Sequence, residues 1–210
     1  ALPNIAIEPG GYQLIWMSGQ DRVALSPEAL RTSTTTLPFE STLVPADAKW
    51  KYLVPSRRGG LADDWTAVEF GDSKFALGQA GFGYGDDDDA TELPVGTGLV
   101  LLRHTFQLPE RPLSQSLVLE VDFDDGFVAY LNGTRVAAVN APDEKLDANS
   151  MATEGREAGT ADRFDLSAHV DLLRKGKNVL AIAGLNAGRG SSDMSLIAGL
   201  GFLPTTLHAS

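Results

Sequence analysis

The chain of 210 residues contains no cysteine. That excludes a disulfide framework and a thiolate metal centre, and it leaves every redox compartment open. Histidine is almost as scarce: His104, His169 and His208 are the only three. None stands at metal-ligand spacing from another, and no Gly-x-Ser-x-Gly elbow or Walker loop occurs. Basic residues are also in deficit. Seventeen Lys and Arg face 28 Asp and Glu, a net charge of −11, opposite in sign to a face that tracks a phosphate backbone. Apolar runs such as Gly98 to Leu102 fall far short of the roughly 20 residues that span a bilayer. No basic-then-apolar leader opens the chain, so Ala1 is expected to be a processed start or a fragment boundary. Nucleic acid as a partner and insertion into a membrane are excluded on these grounds.

What is present is punctuation. The 22 Gly and 11 Pro are spread singly at short intervals, the spacing of an all-β domain with a turn after each short strand. Tyr12 to Ser18 and Arg22 to Leu25 form an expected hairpin, followed by a Thr-rich linker or edge segment from Arg31 to Thr42. Strands are expected at Trp50 to Val54, Trp65 to Phe70 and Lys74 to Leu77, with Gly78 to Gly85 too rich in glycine for either regular element. In Ser116 to Asp124, Leu117, Leu119, Val121 and Phe123 alternate with Val118, Glu120 and Asp122, a half-buried strand with one wet face. Asp125-Gly126 and Asn132-Gly133 then read as hairpin turns, giving an antiparallel meander through Val139. Ala168 to Lys175 carries helix start and stop signals ending at Gly176. Asn178 to Gly184 and Ser195 to Phe202 are buried strands.

Four stretches in order carry a resemblance. They are Leu102-Arg103-His104-Thr105-Phe106, the run Val121 to Gly133 with its paired aspartates and Tyr130-Leu131-Asn132-Gly133, Lys175 to Ala181, and Ser191 to Leu196. With the loop Gly81-Phe82-Gly83-Tyr84-Gly85-Asp86, they resemble the galactose-binding-domain-like jelly roll of large secreted bacterial proteins, a module found beside lamin-tail and spore-coat-kinase-like domains. Glu8 to Arg22 is similar to the late strands of a lamin-tail domain. The resemblance implies an antiparallel β-sandwich jelly roll with one short helix over residues 43–203, a lamin-tail-like hairpin arm and linker over 1–42, and a tail over 204–210. It further implies a bacterial protein that is secreted or at the cell surface.

The candidate sites are few. Asp86, Asp87, Asp88 and Asp89 place four adjacent carboxylates together, a repulsion that either solvent or a hard cation relieves. The resemblance makes a structural calcium ion (Ca2+) the cation. Trp65, Phe82 and Tyr84 lie in or beside loops, where they would either stack on sugar faces or fill the core. Asp125 and Asn132 tolerate the left-handed backbone of tight turns; contact with a sugar is the alternative role. The leading expectation is a non-catalytic recognition or adhesion module for a polysaccharide or other glycan, stabilised by calcium. The alternative is a structural subunit or spacer of a secreted assembly, whose N-terminal strands pair with neighbouring domains or copies of itself. A hydrolase with a Ser-His-Asp site assembled from distant loops is the third class.

Overall fold

The computed structural model describes residues 39–85, 89–112 and 116–204, and they belong to one compact unit. Twelve strands alternate along these residues. They are β1 (Ser41–Val44), β2 (Lys49–Leu53), β3 (Ala76–Gln79), β4 (Phe82–Tyr84), β5 (Thr91–Glu92) and β6 (Leu99–Leu108), then β7 (Leu117–Phe123), β8 (Gly126–Leu131), β9 (Thr134–Val139), β10 (Asp162–Asp165), β11 (Gly176–Leu185) and β12 (Met194–Phe202). One sheet runs β10-β7-β12-β4-β5, with β1 also paired to β12; the other runs β3-β2-β6-β11-β8-β9. All pairings are antiparallel except β4 with β5. The expected all-β antiparallel sandwich with one short helix is borne out. Of the arm and linker expected over 1–42 and the tail expected over 204–210, residues 1–38 and 205–210 lie outside the described residues.

The two sheets differ in how their outer faces are treated, and the sequence carries the difference. In β7 the residues Leu117, Leu119, Val121 and Phe123 point into the core while Glu120 and Asp122 are partly exposed, as the alternation requires. In β6, β8 and β11 both faces are buried. Val100, Leu102, Ala129, Leu180 and Ile182 join the core between the sheets, and their neighbours Leu99, Leu101, Val128, Val179 and Ala181 join a second apolar cluster on the outside. Continuous apolar runs mark strands of this kind.

Trp65, Val68 and Phe75 cover that outer face, so Trp65 to Phe70 is not a strand. It is a chain of tight turns in which Trp65 N–H donates to Ala62 O (3.3 Å), Ala67 N–H to Asp64 O (2.8 Å) and Phe70 N–H to Ala67 O (3.3 Å). Arg103, 2% exposed on β6, fastens them: its guanidinium donates to the carbonyls of Trp65 and Ala67 (3.1 Å for the latter). Its Nε stands 3.5 Å from Asp72 Oδ2. The turn carbonyls are thus paired where a strand would have paired its own.

Three further expectations are corrected. Gly78 to Gly85 is not one loop, since β3 and β4 occupy most of it. Its glycines are there for close approach: a Cβ on Gly83 would lie 2.0 Å from the carbonyl oxygen of Met194 across the β4–β12 pair. The meander is also broken. β8 pairs with β9, but β7 lies in the opposite sheet, so Asp124-Asp125 is an arch across the sandwich and not a hairpin turn. Phe123 and Phe127, on either side of it, meet edge to face in the core with ring centroids 4.8 Å apart. The helix is a 3-10 segment over Ser167–Leu172, shorter than the expected span to Lys175. The buried Asn178 side chain accepts from Arg174 N–H (3.0 Å) and donates to the carbonyls of Arg174 (2.8 Å) and Gly176 (2.9 Å). It draws the chain out of the helix before the last expected turn.

Candidate functional site

The β7–β8 arch gathers acidic side chains from three separate stretches of chain. Asp124 N–H donates to Ser195 O (2.8 Å), which pins the arch to the start of β12. Asp125 follows in the left-handed region (φ 62°), and its groups are all committed. Its N–H donates to Arg156 O (2.7 Å), its Oδ1 accepts from Arg156 N–H (3.1 Å), and its Oδ2 accepts from Ala187 N–H (2.5 Å). Asn140 Nδ2 donates to its carbonyl (2.8 Å). Asp125 therefore splices the arch to two loops.

Arg156 completes the splice. Its guanidinium donates to Phe123 O (2.5 Å), Thr160 O (3.0 Å) and Asp162 Oδ2 (3.1 Å) and lies 3.9 Å from the centre of the Phe123 ring. Glu157, the next residue, is thereby held at the arch. Asp193 arrives from the other side. The buried Asn186 donates to its carbonyl (2.9 Å) and to the Tyr84 hydroxyl (3.1 Å). Ser192 Oγ donates to Asp193 Oδ1 (2.8 Å).

The outcome is that one carboxylate oxygen each from Asp124, Glu157 and Asp193 lies within 4.8 Å of the others. Asp124 is 5% exposed, and its carboxyl is joined by a side-chain hydrogen bond to that of Asp125. Burial first, then the charges of Asp125, Asp193 and Glu157, push its carboxyl up to about 7. A cavity of about 150 Å³ opens beside the three, lined also by Asp122, Gly159, Ser195 and Ile197. Asp122 is partly committed, because its Oδ1 accepts from Gly159 N–H (2.9 Å).

Hard oxygen donors of this kind suit calcium. At a calcium–oxygen distance of 2.3–2.6 Å, ligand oxygens on opposite sides of one ion stand about 4.6–5.2 Å apart, so a set within 4.8 Å fits around one ion. The absence of nitrogen or sulfur donors among the three disfavours zinc. An ion there would supply the positive charge that Asp124 lacks.

The residues expected to form sites are mostly elsewhere. Asp86, Asp87 and Asp88 lie outside the described residues. Asp89 is half-buried, with its carboxylate against Gly83, and it lines a different cavity of about 180 Å³ with Tyr84, Gly85 and Glu92. Phe82 and Tyr84 are core residues. Burial raises the Tyr84 hydroxyl above its ordinary range, and that hydroxyl serves the Asn186 network. Trp65 packs edge to face on Tyr130, centroids 5.6 Å apart. None of the three rings offers an open face, which corrects their expected stacking role: each is large enough that the core claims it. Asn132 sits at the far end of β8 from the arch, about 20 Å away at ~3.3 Å per residue. Its amide is spent on Leu172 O, Asn178 Oδ1 and Val179 N–H, each at 2.8 Å, so its expected ligand contact gives way to a turn-bracing role. Asp125 is likewise structural, although it backs the acidic site. Of the carboxylates that meet at the arch, the sequence pattern singles out neither Glu157 nor Asp193, and Asp124 only as a turn residue. The only signal was Asp124-Asp125 beside an unexplained polar excursion.

No family model matches the chain, and neither does any curated protein. Among solved structures, the chain is similar to a beta-glucuronidase of Bifidobacterium dentium complexed with coumarin-3-O-glucuronide, at 19% identity over 70% of this chain and 20% of that one, with a TM-score of 0.47. An uncultured Clostridium beta-glucuronidase matches at 18% identity over 71% and 23%, TM-score 0.46. A calcium-binding mutant of Bacteroides uniformis beta-glucuronidase 2 matches at 20% identity over 75% and 18%, TM-score 0.43. The chain spans about a fifth of the length of these proteins. Among the described residues, no helix is long and apolar enough to cross a membrane.

Proposed function

We propose that this chain is a non-catalytic extracellular recognition module, built on a β-sandwich and organised around a calcium ion held by Asp124, Glu157 and Asp193. The observation that carries this reading is Asp124: a carboxyl 5% exposed, set against the Asp125 carboxyl and facing two more carboxylates. A buried anion of this kind is costly unless a positive charge meets it. Arg156, the cation joined to the arch, is spent on Phe123, Thr160 and Asp162. Carbohydrate is the ligand class implied by the resemblance of the chain to galactose-binding-domain-like jelly rolls. The contacts of the half-buried His104, whose Nδ1 lies 3.0 Å from Lys49 O and whose ring packs on Trp50, support a structural role for that residue.

Hydrolysis is the second reading, and one observation favours it. A carboxyl at about 7 beside two other carboxylates is the charge split that glycosidases use. The near-complete burial of Asp124 weighs against proton transfer to a substrate.

Affinity electrophoresis through gels of neutral and acidic polysaccharides, run with calcium and with chelator, tests the proposal. Retention that requires calcium and disappears in Glu157→Gln is expected, without release of reducing sugar. Retention indifferent to chelator would remove calcium from the function, and steady release of reducing sugar would make the chain an enzyme.

A further inference from the structure

We infer that the open part of the outer face of the β3-β2-β6-β11-β8-β9 sheet docks an anionic polysaccharide, whose carboxylate or sulfate groups meet Lys49, Lys51 and Lys177. This rests on the recognition reading above and is independent of where the ion sits.

The roof on that face stops part-way along the strands. On β6, Leu101 and Arg103 lie buried beneath the 61–75 segment, whereas Thr105 and Gln107, the next side chains on the same face, are exposed. On β2, Trp50 and Tyr52 turn into the core, so the alternation sends Lys49 and Lys51 to the outer side. Lys51 is flanked in register by Arg103 and by Leu77 of the edge strand β3, which is 61% exposed. On β11, Lys177 stands opposite Gln107, two residues before Val179 of the outer apolar cluster. At ~3.3 Å per residue and ~4.8 Å between strands, Lys49 lies about 7 Å from Lys51 and about 12 Å from Lys177. An extended polymer covers that spread, and a small anion does not.

The charge of this face opposes that of the chain. With 28 acidic residues to 17 basic ones, a surface cation readily meets a carboxylate. Arg111, Lys145, Arg156, Arg163 and Lys175 each do so at 2.5–3.1 Å. Among the described residues, Lys49 and Lys51 pair with none. Lys177 reaches Glu69 only at 3.8 Å, and Asp72 is taken by Arg103. The three ammonium groups are thus left to a partner of opposite sign. A protein partner fits the face poorly, because the centres of protein interfaces are apolar and depleted of lysine, and Leu77 is the one large apolar side chain exposed here. A glycan fits it better. Thr105 and Gln107 offer a hydroxyl and an amide to sugar hydroxyls between the cations, and the lysine stems offer apolar contact to ring C–H groups.

The test is affinity electrophoresis of the full chain, with calcium present, through gels holding dextran, carboxymethyl-dextran or dextran sulfate, which share one backbone. At least one of the two charged polymers is expected to retard the protein where dextran does not, and the stronger of them names the acidic group. Lys49→Gln/Lys51→Gln/Lys177→Gln should weaken that retardation about tenfold, the sum of three exposed ion pairs, while Lys49→Arg/Lys51→Arg/Lys177→Arg keeps it. Arg57→Gln/Arg58→Gln/Lys145→Gln removes the same charge elsewhere and should leave it nearly unchanged. Equal weakening by the two glutamine sets, or loss in the arginine set, overturns the inference. Retention by neutral polysaccharides with none by the charged dextrans also overturns it and leaves the recognition reading standing. If no polysaccharide, neutral or acidic, retains the protein, the reading and the inference fail together.

Discussion

Raising the pH of the calcium-free protein tests the charge placed on Asp124. Its carboxyl is pushed up to about 7 in the folded chain, against an ordinary value of 3.8. Between those values the folded state keeps a proton that the unfolded state releases. Its contribution to stability is therefore complete below pH 3.8 and is lost as pH rises through about 7. At 1.36 kcal/mol per unit, the interval corresponds to at most about 4 kcal/mol, or roughly 8–16 °C in Tm for a chain of this length. Other groups have the opposite sign. Burial holds His104 below the usual imidazole range, so its contribution is lost as pH falls below 6.5; Asp63, bonded to Lys145, and Asp165, bonded to Ser167, are both held low and act only in acid. Subtracting the Asp124→Asn profile from the wild-type profile cancels all three. In chelator, urea unfolding from pH 4.5 to 8 should show Asp124→Asn gaining on wild type as pH rises, with the gap closing when calcium is added. Parallel profiles would refute the placement of Asp124 as a buried carboxyl set among other carboxylates.

The remaining predictions concern the frame around the site. Asn178→Ala strands the Asn132 amide and the backbone groups of Arg174 and Gly176, and should cost about 3 kcal/mol in urea unfolding, since each buried unsatisfied group costs about 1–3 kcal/mol. Arg103→Met frees the Trp65 and Ala67 carbonyls; amide exchange should quicken across residues 62–75 while β6 and β11 stay protected. Asp125→Ala removes the acceptor of Arg156 and Ala187 N–H, so it should lower calcium affinity about tenfold or more, as loss of a group supporting a metal ligand does, without touching the ion. Unchanged affinity would show that Glu157 needs no such anchoring.

Most strands were legible because their patterns have a single cause. Leu117 to Phe123 alternates because one face is wet, and Asn178 to Leu185 is apolar throughout because both faces are covered. Errors arose where one local pattern serves two tertiary outcomes. Asp-Asp-Gly turns a chain equally into a hairpin or across a sandwich, and only the burial of Phe123 against Phe127 decides. Trp65, Val68 and Phe70 look like strand residues, but they are apolar because they roof an outer sheet face. The glycines at Gly78 and Gly83 suggest a loop, yet each marks a strand where another group presses too close for a Cβ. The site was the least legible part. The tetrad from Asp86 drew attention through adjacency, whereas Asp124, Glu157 and Asp193 are each unremarkable in sequence and meet only because β7, the Arg156 loop and β12 converge at one end of the sandwich.

The position of the ion is the most direct test. An anomalous difference map from a crystal of the full chain soaked with a calcium-mimicking lanthanide should show its strongest peak among the carboxylates of Asp124, Glu157 and Asp193. A peak at Asp86 to Asp89 with none at the arch, or no protein-bound peak at all, would contradict the account.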